Sequence, residues 1–364
     1  MRSALAPSSY MDLSLFSDAH HLGWQAAQKA SPNPPVGAVI EDSAGVVVGR
    51  GHTQRPGAAH AEVMALQEAG DRARGGRAIV TLEPCNHTGR TGPCAQALIE
   101  AGIRRVDFLF ADPNPTATGG AETLRAAGVE VFGPYLPQPT APGGATLVPW
   151  TQMYSVEPWL IAMAEQRPHV CLKIASTVDG RVAAVDKTSQ WITGDAARVA
   201  AHEDRTRRDA ILVGTGTVAA DNPRLSARDA QGKPFAEDLQ PLRVVLGTRD
   251  VPTDARIFDA PGQAVHLRTR DVHAALAELW ERDVRTLLVE GGAEVAAAFI
   301  GAGVVDEVQY YAAPAVLGAG VASLSTQRGD LGQTIADILR FVPRELEVLG
   351  GDIRWTMTAP GRTP

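Results

Sequence analysis

His60-Ala61-Glu62, then Leu82-Glu83-Pro84-Cys85, then Cys94 are the stretches whose reading decides the first part of this chain. Together they supply one imidazole, two thiols and one carboxylate. A catalytic zinc takes three protein ligands and keeps a fourth position open. His60, Cys85 and Cys94 are ligands of that kind, and Glu62 remains as a carboxylate able to move protons to and from water. The alternatives are a structural zinc site, which ordinarily has four ligands, and two buried free cysteines. No fourth partner stands out in the sequence.

The pattern around these residues supplies the fold. Ser14 to Ala30 has the apolar spacing of an amphipathic helix. Val36 to Ile40 and Val46 to Val48 read as strands joined by a turn at Asp42 to Gly45. His60 to Glu68 reads as a helix. Ala78 to Leu82 is a short apolar strand that ends just before Cys85. Cys94 to Ala101 is a helix stopped by Gly102. Strands at Val106 to Phe110 and Val129 to Phe132 flank a helix at Ala121 to Ala127. Alternating strands and helices imply an α/β sandwich. Helix starts at His60 and Cys94 bring positive dipole ends to the cysteines, which favours thiolates.

Further along, Pro134 to Pro149 holds five prolines and two glycines and reads as a linker. A second α/β segment begins near Pro168. Its strands are Val170 to Ala175, Ala210 to Val213, Arg243 to Leu246, Thr286 to Val289, Glu307 to Ala312, Leu346 to Leu349 and Ile353 to Thr358. Helices fit at Ala196 to Arg207, Val272 to Glu281 and Glu294 to Gly301. The division is therefore a domain at 14–135, a linker at 136–167 and a second domain at 168–358. Gly214-Thr215-Gly216-Thr217 and Glu290-Gly291-Gly292 each follow an apolar strand, where a glycine turn either approaches a phosphate or simply closes a strand-helix turn.

Bulk composition sets limits. A chain of 364 residues with 45% hydrophobic and 21% charged residues is an ordinary globular protein of about two domains. A net charge of -7 argues against non-specific nucleic-acid binding. No apolar run approaches a membrane span, and the N-terminus lacks the apolar core of a secretory signal. Three cysteines, Cys85, Cys94 and Cys171, do not build a disulfide framework, so a reducing cytoplasm is expected. Cys171 lies on an apolar strand and reads as core.

A histidine, a nearby glutamate, Pro-Cys and a second cysteine form the layout of zinc nucleobase deaminases, which replace a ring amino group by oxygen. Here eight residues separate Cys85 from Cys94, where the general signature has two. That spacing, with Pro32-Asn33-Pro34-Pro35-Val36-Gly37, Asn86-His87-Thr88-Gly89-Arg90-Thr91-Gly92-Pro93 and Asp112-Pro113-Asn114-Pro115, closely resembles the bifunctional riboflavin biosynthesis deaminase-reductases. The resemblance implies a cytidine-deaminase-like three-layer α/β/α domain that acts on a phosphorylated pyrimidine. It assigns zinc to His60, Cys85 and Cys94, proton transfer to Glu62, and substrate contacts to Asn33, His52, His87 and Arg90. Arg90 makes chemical sense as a phosphate partner.

In the second half, Leu172-Lys173-Ile174-Ala175, Asp179-Gly180-Arg181, Ser189-Gln190-Trp191-Ile192-Thr193 and Asp221-Asn222-Pro223-Arg224-Leu225 resemble the reductase half of the same family. That half implies a dihydrofolate-reductase-like α/β fold that uses NADPH. Ser189, Arg205, Leu225, Arg228 and Glu290 match its substrate positions. Ser176, Trp191, Thr217, Asp221, Thr248 and the run Gly292, Ala293, Glu294, Val295, Ala296, Ala297 and Ala298 match its cofactor positions. Lys173 and Asp179 flank the expected ribose pocket. The resemblance also implies a homodimer through the reductase half. The sequence departs from the family in its long proline-rich linker and in the Thr-Ala-Thr-Gly-Gly run after Pro115, which lacks a basic residue.

Overall fold

The computed structural model describes residues 16–86, 92–136, 155–324 and 332–360. It divides into two compact units, Met1–Ala26 with Val36–Leu136, and Ala27–Pro35 with Pro137–Pro364.

The first unit runs α1 (Ser17–Ala26), β1 (Gly37–Glu41), β2 (Val47–His52), α2 (Ala61–Ala69), β3 (Arg77–Leu82), α3 (Cys94–Glu100), β4 (Arg105–Phe110), α4 (Gly120–Ala126) and β5 (Glu130–Phe132). Its sheet has the order β2-β1-β3-β4-β5. β1 pairs antiparallel with β2 and β3, while β3, β4 and β5 are parallel. β3 and β4 are short apolar runs buried over all but their first residues, as expected of parallel strands covered on both faces. Helices reach the sheet closely through glycine. A Cβ on Gly37 would lie 1.8 Å from the Ala19 carbonyl of α1, and one on Gly51 would lie 2.2 Å from the Ala61 carbonyl of α2. Gly37 and Gly51 stand at alternate positions of the β1–β2 register, so α1 and α2 cover opposite faces and make three layers. The strands and helices read from the sequence recur here within a few residues at their ends.

The second unit runs α5 (Glu157–Glu165), β6 (His169–Thr177), β7 (Arg181–Ala183), α6 (Asp195–Arg205), β8 (Ala210–Gly214), α7 (Thr215–Asp221), β9 (Leu242–Leu246), α8 (Arg256–Asp259), β10 (Ala264–Leu267), α9 (Val272–Glu281), β11 (Thr286–Val289), α10 (Ala293–Gly301), β12 (Glu307–Ala313), β13 (Val321–Ala322), β14 (Val342–Leu349) and β15 (Asp352–Thr358). The main sheet has the order β10-β9-β8-β11-β6-β12-β15-β14, and β7 pairs with β13. β10 through β12 of that order are parallel, and β15 and β14 close the edge antiparallel. One face packs Leu172, Leu212, Val244 and Leu287 against Leu276, Leu279 and Phe299 of α9 and α10. The other packs Cys171, Ile211, Val213 and Leu288 against Val218 of α7 and Ile257 of α8. Cys171 is core, as its apolar neighbours imply.

Two features differ from the sequence reading. The stretch 136–167, read as linker, contains α5, whose Trp159, Leu160, Ile161 and Ala162 are buried. Its Glu157 is buried against Arg344 of β14 at 3.2 Å, a partner far away in sequence. The proline-rich residues 137–154 lie outside the described residues. The segment Ala27–Pro35, within the stretch assigned to the first domain, clusters with the second unit. The Trp159 indole donates to the Pro32 carbonyl at 3.0 Å, and Ser155 Oγ donates to that of Pro35 at 3.1 Å. Among the described residues, no helix is long and apolar enough to cross a membrane.

Candidate active sites

In the first unit, three separate elements aim donors at one point. His60 is the N-cap of α2, Cys94 is the first residue of α3, and Cys85 sits in the loop after β3. Their ligand atoms all lie within 4.8 Å of one another. His60 Nδ1 is 3.5 Å from Cys85 Sγ and 3.3 Å from Cys94 Sγ. The cysteines are free thiols, not a disulfide. Zinc fits this set. Zn–N near 2.0 Å and Zn–S near 2.3 Å at a tetrahedral angle put nitrogen and sulfur about 3.6 Å apart, close to the spacing found. Glu62, in the first turn of α2, is 4% exposed.

The two thiols are pushed in opposite directions: the hydrogen bond to Cys85, then burial, pushes the Cys94 thiol well up. Hydrogen bonding from Cys94 and from His60 holds the Cys85 thiol down, to about 4, which favours its thiolate. Burial, followed by the charge of Cys85, pushes the Glu62 carboxyl up to about 7. The other residues assigned to this site lie on other segments or outside the described residues. His52 ends β2, with Nδ1 3.2 Å from the Thr53 carbonyl and 3.2 Å from the Gln54 amide nitrogen. Asn33 lies in the segment that clusters with the second unit. His87 and Arg90 lie outside the described residues.

In the second unit, Thr217, Thr248 and Glu290, three of the positions expected to bind ligands, follow the carboxyl ends of parallel strands, where open α/β sheets bind ligands. Arg205 of α6 grips Glu290, just after β11, through Nε at 2.8 Å and Nη2 at 2.9 Å. Lys173 of β6 reaches the same carboxylate at 3.5 Å. Burial pushes the Glu290 carboxyl up, but Arg205 and Lys173 outweigh it and hold it well below the usual carboxylate range. Arg205 also donates to the Ser226 carbonyl at 3.1 Å, and Arg228 donates to Ser226 Oγ at 2.9 Å. Both arginines therefore converge on one loop, next to buried Leu225. Ser189 is half-buried in the turn before Trp191. Asp179 stands apart: it accepts from Thr177 Oγ1 at 2.6 Å and from the backbone of Leu317 and Gly318. It clamps a loop and does not join the Lys173 cluster.

Of the positions expected to hold a cofactor, the Thr217 and Gly292 turns lie together. Thr217 lies in the first turn of α7, after β8, and Asp221 ends that helix. Gly292 caps α10, after β11, and Ala293 to Ala298 form its first turns. β8 and β11 are neighbours, and Thr248 follows β9 on the other side of β8. A Cβ on Gly292 would lie 3.7 Å from Thr217 Oγ1, so the two turns face each other. A Cβ on Gly291 would lie 2.5 Å from Val295 Cβ, so only glycine lets α10 start this close to the strand end. Adjacent helix starts on glycine turns suit a dinucleotide's phosphates. Ser176, buried near the end of β6, is 2.5 Å from the Tyr310 hydroxyl. Trp191 is 69% exposed, with the Arg198 guanidinium 4.6 Å above its ring.

Sequence reading missed His202 and Ser226. The ring of His202, one helical turn before Arg205, is pulled down to about 4 by burial and by Arg205. Its Nδ1 lies 3.3 Å from Arg205 Nη1, which only donates, so that nitrogen accepts. An i, i+3 spacing to Arg205 was its only local signal; Ser226 acts through its carbonyl and its hydroxyl and gave none.

The family model of the cytidine and deoxycytidylate deaminase zinc-binding region matches residues 11–110, and that of the RibD C-terminal domain matches residues 168–354. The riboflavin biosynthesis protein RibD of Corynebacterium ammoniagenes is 48% identical over 83% of this chain and 86% of its own length. That of Mycobacterium tuberculosis is 42% identical over 92% of this chain and 94% of its own length. The chain belongs to the RibD family. Two solved structures agree. A deaminase/reductase from Thermotoga maritima has a TM-score of 0.80 at 30% identity, covering 95% of this chain and 98% of its own. Acinetobacter baumannii RibD has a TM-score of 0.78 at 31% identity, covering 95% and 98%. This chain is thus a bifunctional enzyme of riboflavin biosynthesis, a zinc-dependent deaminase and an NADPH-dependent reductase, with the expected pair of α/β domains.

Proposed function

We propose that the chain deaminates 2,5-diamino-6-(5-phosphoribosylamino)pyrimidin-4(3H)-one and then reduces the ribosyl side chain of 5-amino-6-(5-phosphoribosylamino)uracil to ribityl. The observation that carries this reading is the convergence of His60, Cys85 and Cys94 within 4.8 Å beside a buried Glu62. Residues 14–135 carry the deaminase domain and residues 168–358 the reductase domain; the stretch 136–167 that joins them adds α5 to the second unit, as does Ala27–Pro35.

His60, Cys85 and Cys94 hold the zinc. Bound there, zinc supplies Lewis acidity that brings the pKa of water toward neutrality. Glu62 takes one proton from the attacking water and gives it to the ring nitrogen, then carries the remaining proton of the newly added hydroxyl to the departing amino group, which leaves as ammonia. Asn33, His52, His87 and Arg90 hold the pyrimidine and its phosphate.

In the reductase domain, NADPH supplies the hydride and the protein positions it. Ser176, Trp191, Thr217, Asp221, Thr248 and Gly292 to Ala298 form its seat. Arg205 and Arg228 are the phosphate partners, since a guanidinium binds phosphate through two parallel hydrogen bonds. Ser189, Leu225 and Glu290 line the ribosyl side. Arg205 is paired with Glu290 through both carboxylate oxygens, which fixes its guanidinium beside Leu225 and Ser226.

A homodimer through the reductase domain has a surface that suits it. Leu346 and Val348 of β14 pair across the ladder with Trp355 and Ile353 of β15, and all four are exposed on the sheet's edge hairpin. A reducing cytoplasm suits an enzyme that keeps free cysteines at a metal site.

The test is a coupled assay on purified protein that follows ammonia release and NADPH oxidation. Ammonia release should precede NADPH loss, and a zinc chelator should stop both. Adding deaminated substrate should restore only the second. Deaminated substrate that leaves NADPH unoxidised would refute the reductase assignment.

A further inference from the structure

Cys85 is held by contacts that the three donors do not make themselves. Glu83, two residues earlier, is 8% exposed. Its Oε1 accepts the backbone N–H of Ala121 at 3.0 Å and of Gly119 at 3.3 Å. Those donors belong to the start of α4, whose N-cap Gly119 brings no capping side chain. Glu83 therefore caps α4 from the end of another strand, and satisfies N–H groups the helix cannot satisfy internally. The Glu83 N–H donates to the Phe110 carbonyl of β4 at 2.8 Å, and the Asn86 N–H to the Ala117 carbonyl at 2.8 Å. Between them, the Pro84 carbonyl lies so close to Gly120 that a Cβ there would sit 1.7 Å away.

Residues 83, 84 and 86 are thus pinned to the turn at 117–121, and Cys85 packs with Ala117 of that turn and with Cys94. Cys85 Sγ accepts the Cys94 N–H at 3.4 Å, and the Cys85 carbonyl accepts the Ala95 N–H at 3.1 Å. The cysteine is gripped between the start of α3 and the start of α4.

We infer that Glu83 is a positioning residue for the zinc ligand Cys85, acting through its cap on α4. The inference rests on reading the His60-Cys85-Cys94 cluster as the zinc site. Removing the carboxylate leaves two backbone N–H groups without their acceptor and frees the turn that leaves β3. The Cys85 sulfur then loses its fixed distance to His60 Nδ1 and Cys94 Sγ. Groups that orient metal ligands from behind are worth about 10- to 100-fold in metal affinity. Gln at this position keeps an acceptor oxygen of the same reach, whereas Ala keeps none.

The experiment uses the full chain as wild type, Glu83→Ala, Glu83→Gln and Gly120→Ala. Zinc affinity is measured by competition with a chromogenic chelator, and ligand geometry by the absorption of the cobalt(II)-substituted protein. NADPH-dependent reduction of deaminated substrate serves as the internal control. Glu83→Ala and Gly120→Ala should each weaken zinc binding about 10- to 100-fold and change the cobalt spectrum, while Glu83→Gln stays within about threefold of wild type. Reduction should be unchanged in all three. If Glu83→Ala yields no soluble protein, Gly120→Ala disturbs the same clamp and decides the matter by the same readouts. Wild-type zinc affinity and cobalt spectrum in the alanine variants would overturn the inference. So would a Glu83→Gln chain as weak as Glu83→Ala, because the charge and not the cap would then be what matters. A wild-type chain that takes up no zinc would instead overturn the zinc-site reading beneath it.

Discussion

Acidification should weaken the first unit through one buried ring. His20 of α1 is 1% exposed, and its Nε2 accepts the Trp24 indole N–H at 3.1 Å. That nitrogen cannot carry a proton while it accepts one. Burial, together with neighbouring His21, pulls the ring down from 6.5 to about 4. In the unfolded chain the ring takes its proton near pH 6.5; in the folded chain it waits until about pH 4. Between those values the unfolded state binds more protons, so stability falls as the pH falls. The contribution is complete above pH 6.5 and is lost on the way down to about pH 4. Each pH unit in that window is worth about 1.4 kcal/mol, so roughly 2 kcal/mol should be gone by pH 5 and about 3 kcal/mol in all. The assay is urea unfolding of wild type and His20→Asn from pH 7.5 to pH 5, alongside titration of the imidazole signals by NMR. The wild type's advantage should shrink by about 2 kcal/mol over that range. A stability gap that stays constant with pH, or a His20 signal that titrates near 6.5, would refute the reasoning.

Other perturbations separate the two units. Cys85→Ser and Cys94→Ser should each lose zinc and deamination while sparing NADPH-dependent reduction of deaminated substrate, as metal analysis and the two half-assays would show. Arg205→Lys, which cannot keep the two-point grip on Glu290 or on a phosphate, should lower kcat/KM for the phosphorylated reductase substrate by about 10- to 100-fold with NADPH affinity little changed. Gly291→Ala puts a Cβ 2.5 Å from Val295 Cβ and should push the start of α10 away, weakening NADPH binding about tenfold in a fluorescence titration at a stability cost of about 1–3 kcal/mol.

What could be read from the sequence was what local chemistry encodes. His60 and Cys94 open α2 and α3, as their positions before apolar helical runs implied, and Cys85 follows an apolar strand. The parallel strands of the second unit were legible because β8 and β11 are unbroken apolar runs. Contacts made at long range were not. α5 begins Glu157-Pro158, an ordinary helix start, but it sits beyond a proline-rich run, and its anchor is Arg344, 187 residues away. Nothing local in Ser31-Pro32 announces that Trp159 takes the Pro32 carbonyl, which draws this segment to the second unit. The same holds for Glu83: its place in the Leu82-Glu83-Pro84-Cys85 stretch was visible, but the N–H groups it caps lie 36 and 38 residues further on. Arg205 and Glu290 were each expected to face substrate; that they hold each other, with Lys173 beside them, follows from α6 and β11 meeting in the fold.

The central claim is that Glu62 moves protons beside a zinc it does not bind. Zinc content and ammonia release of Glu62→Gln, measured on the same preparation, test it most directly. The account predicts about one zinc per chain, as in wild type, with deamination reduced by roughly 100- to 10,000-fold. Near-normal ammonia release, or loss of the metal along with the carboxylate, would contradict it.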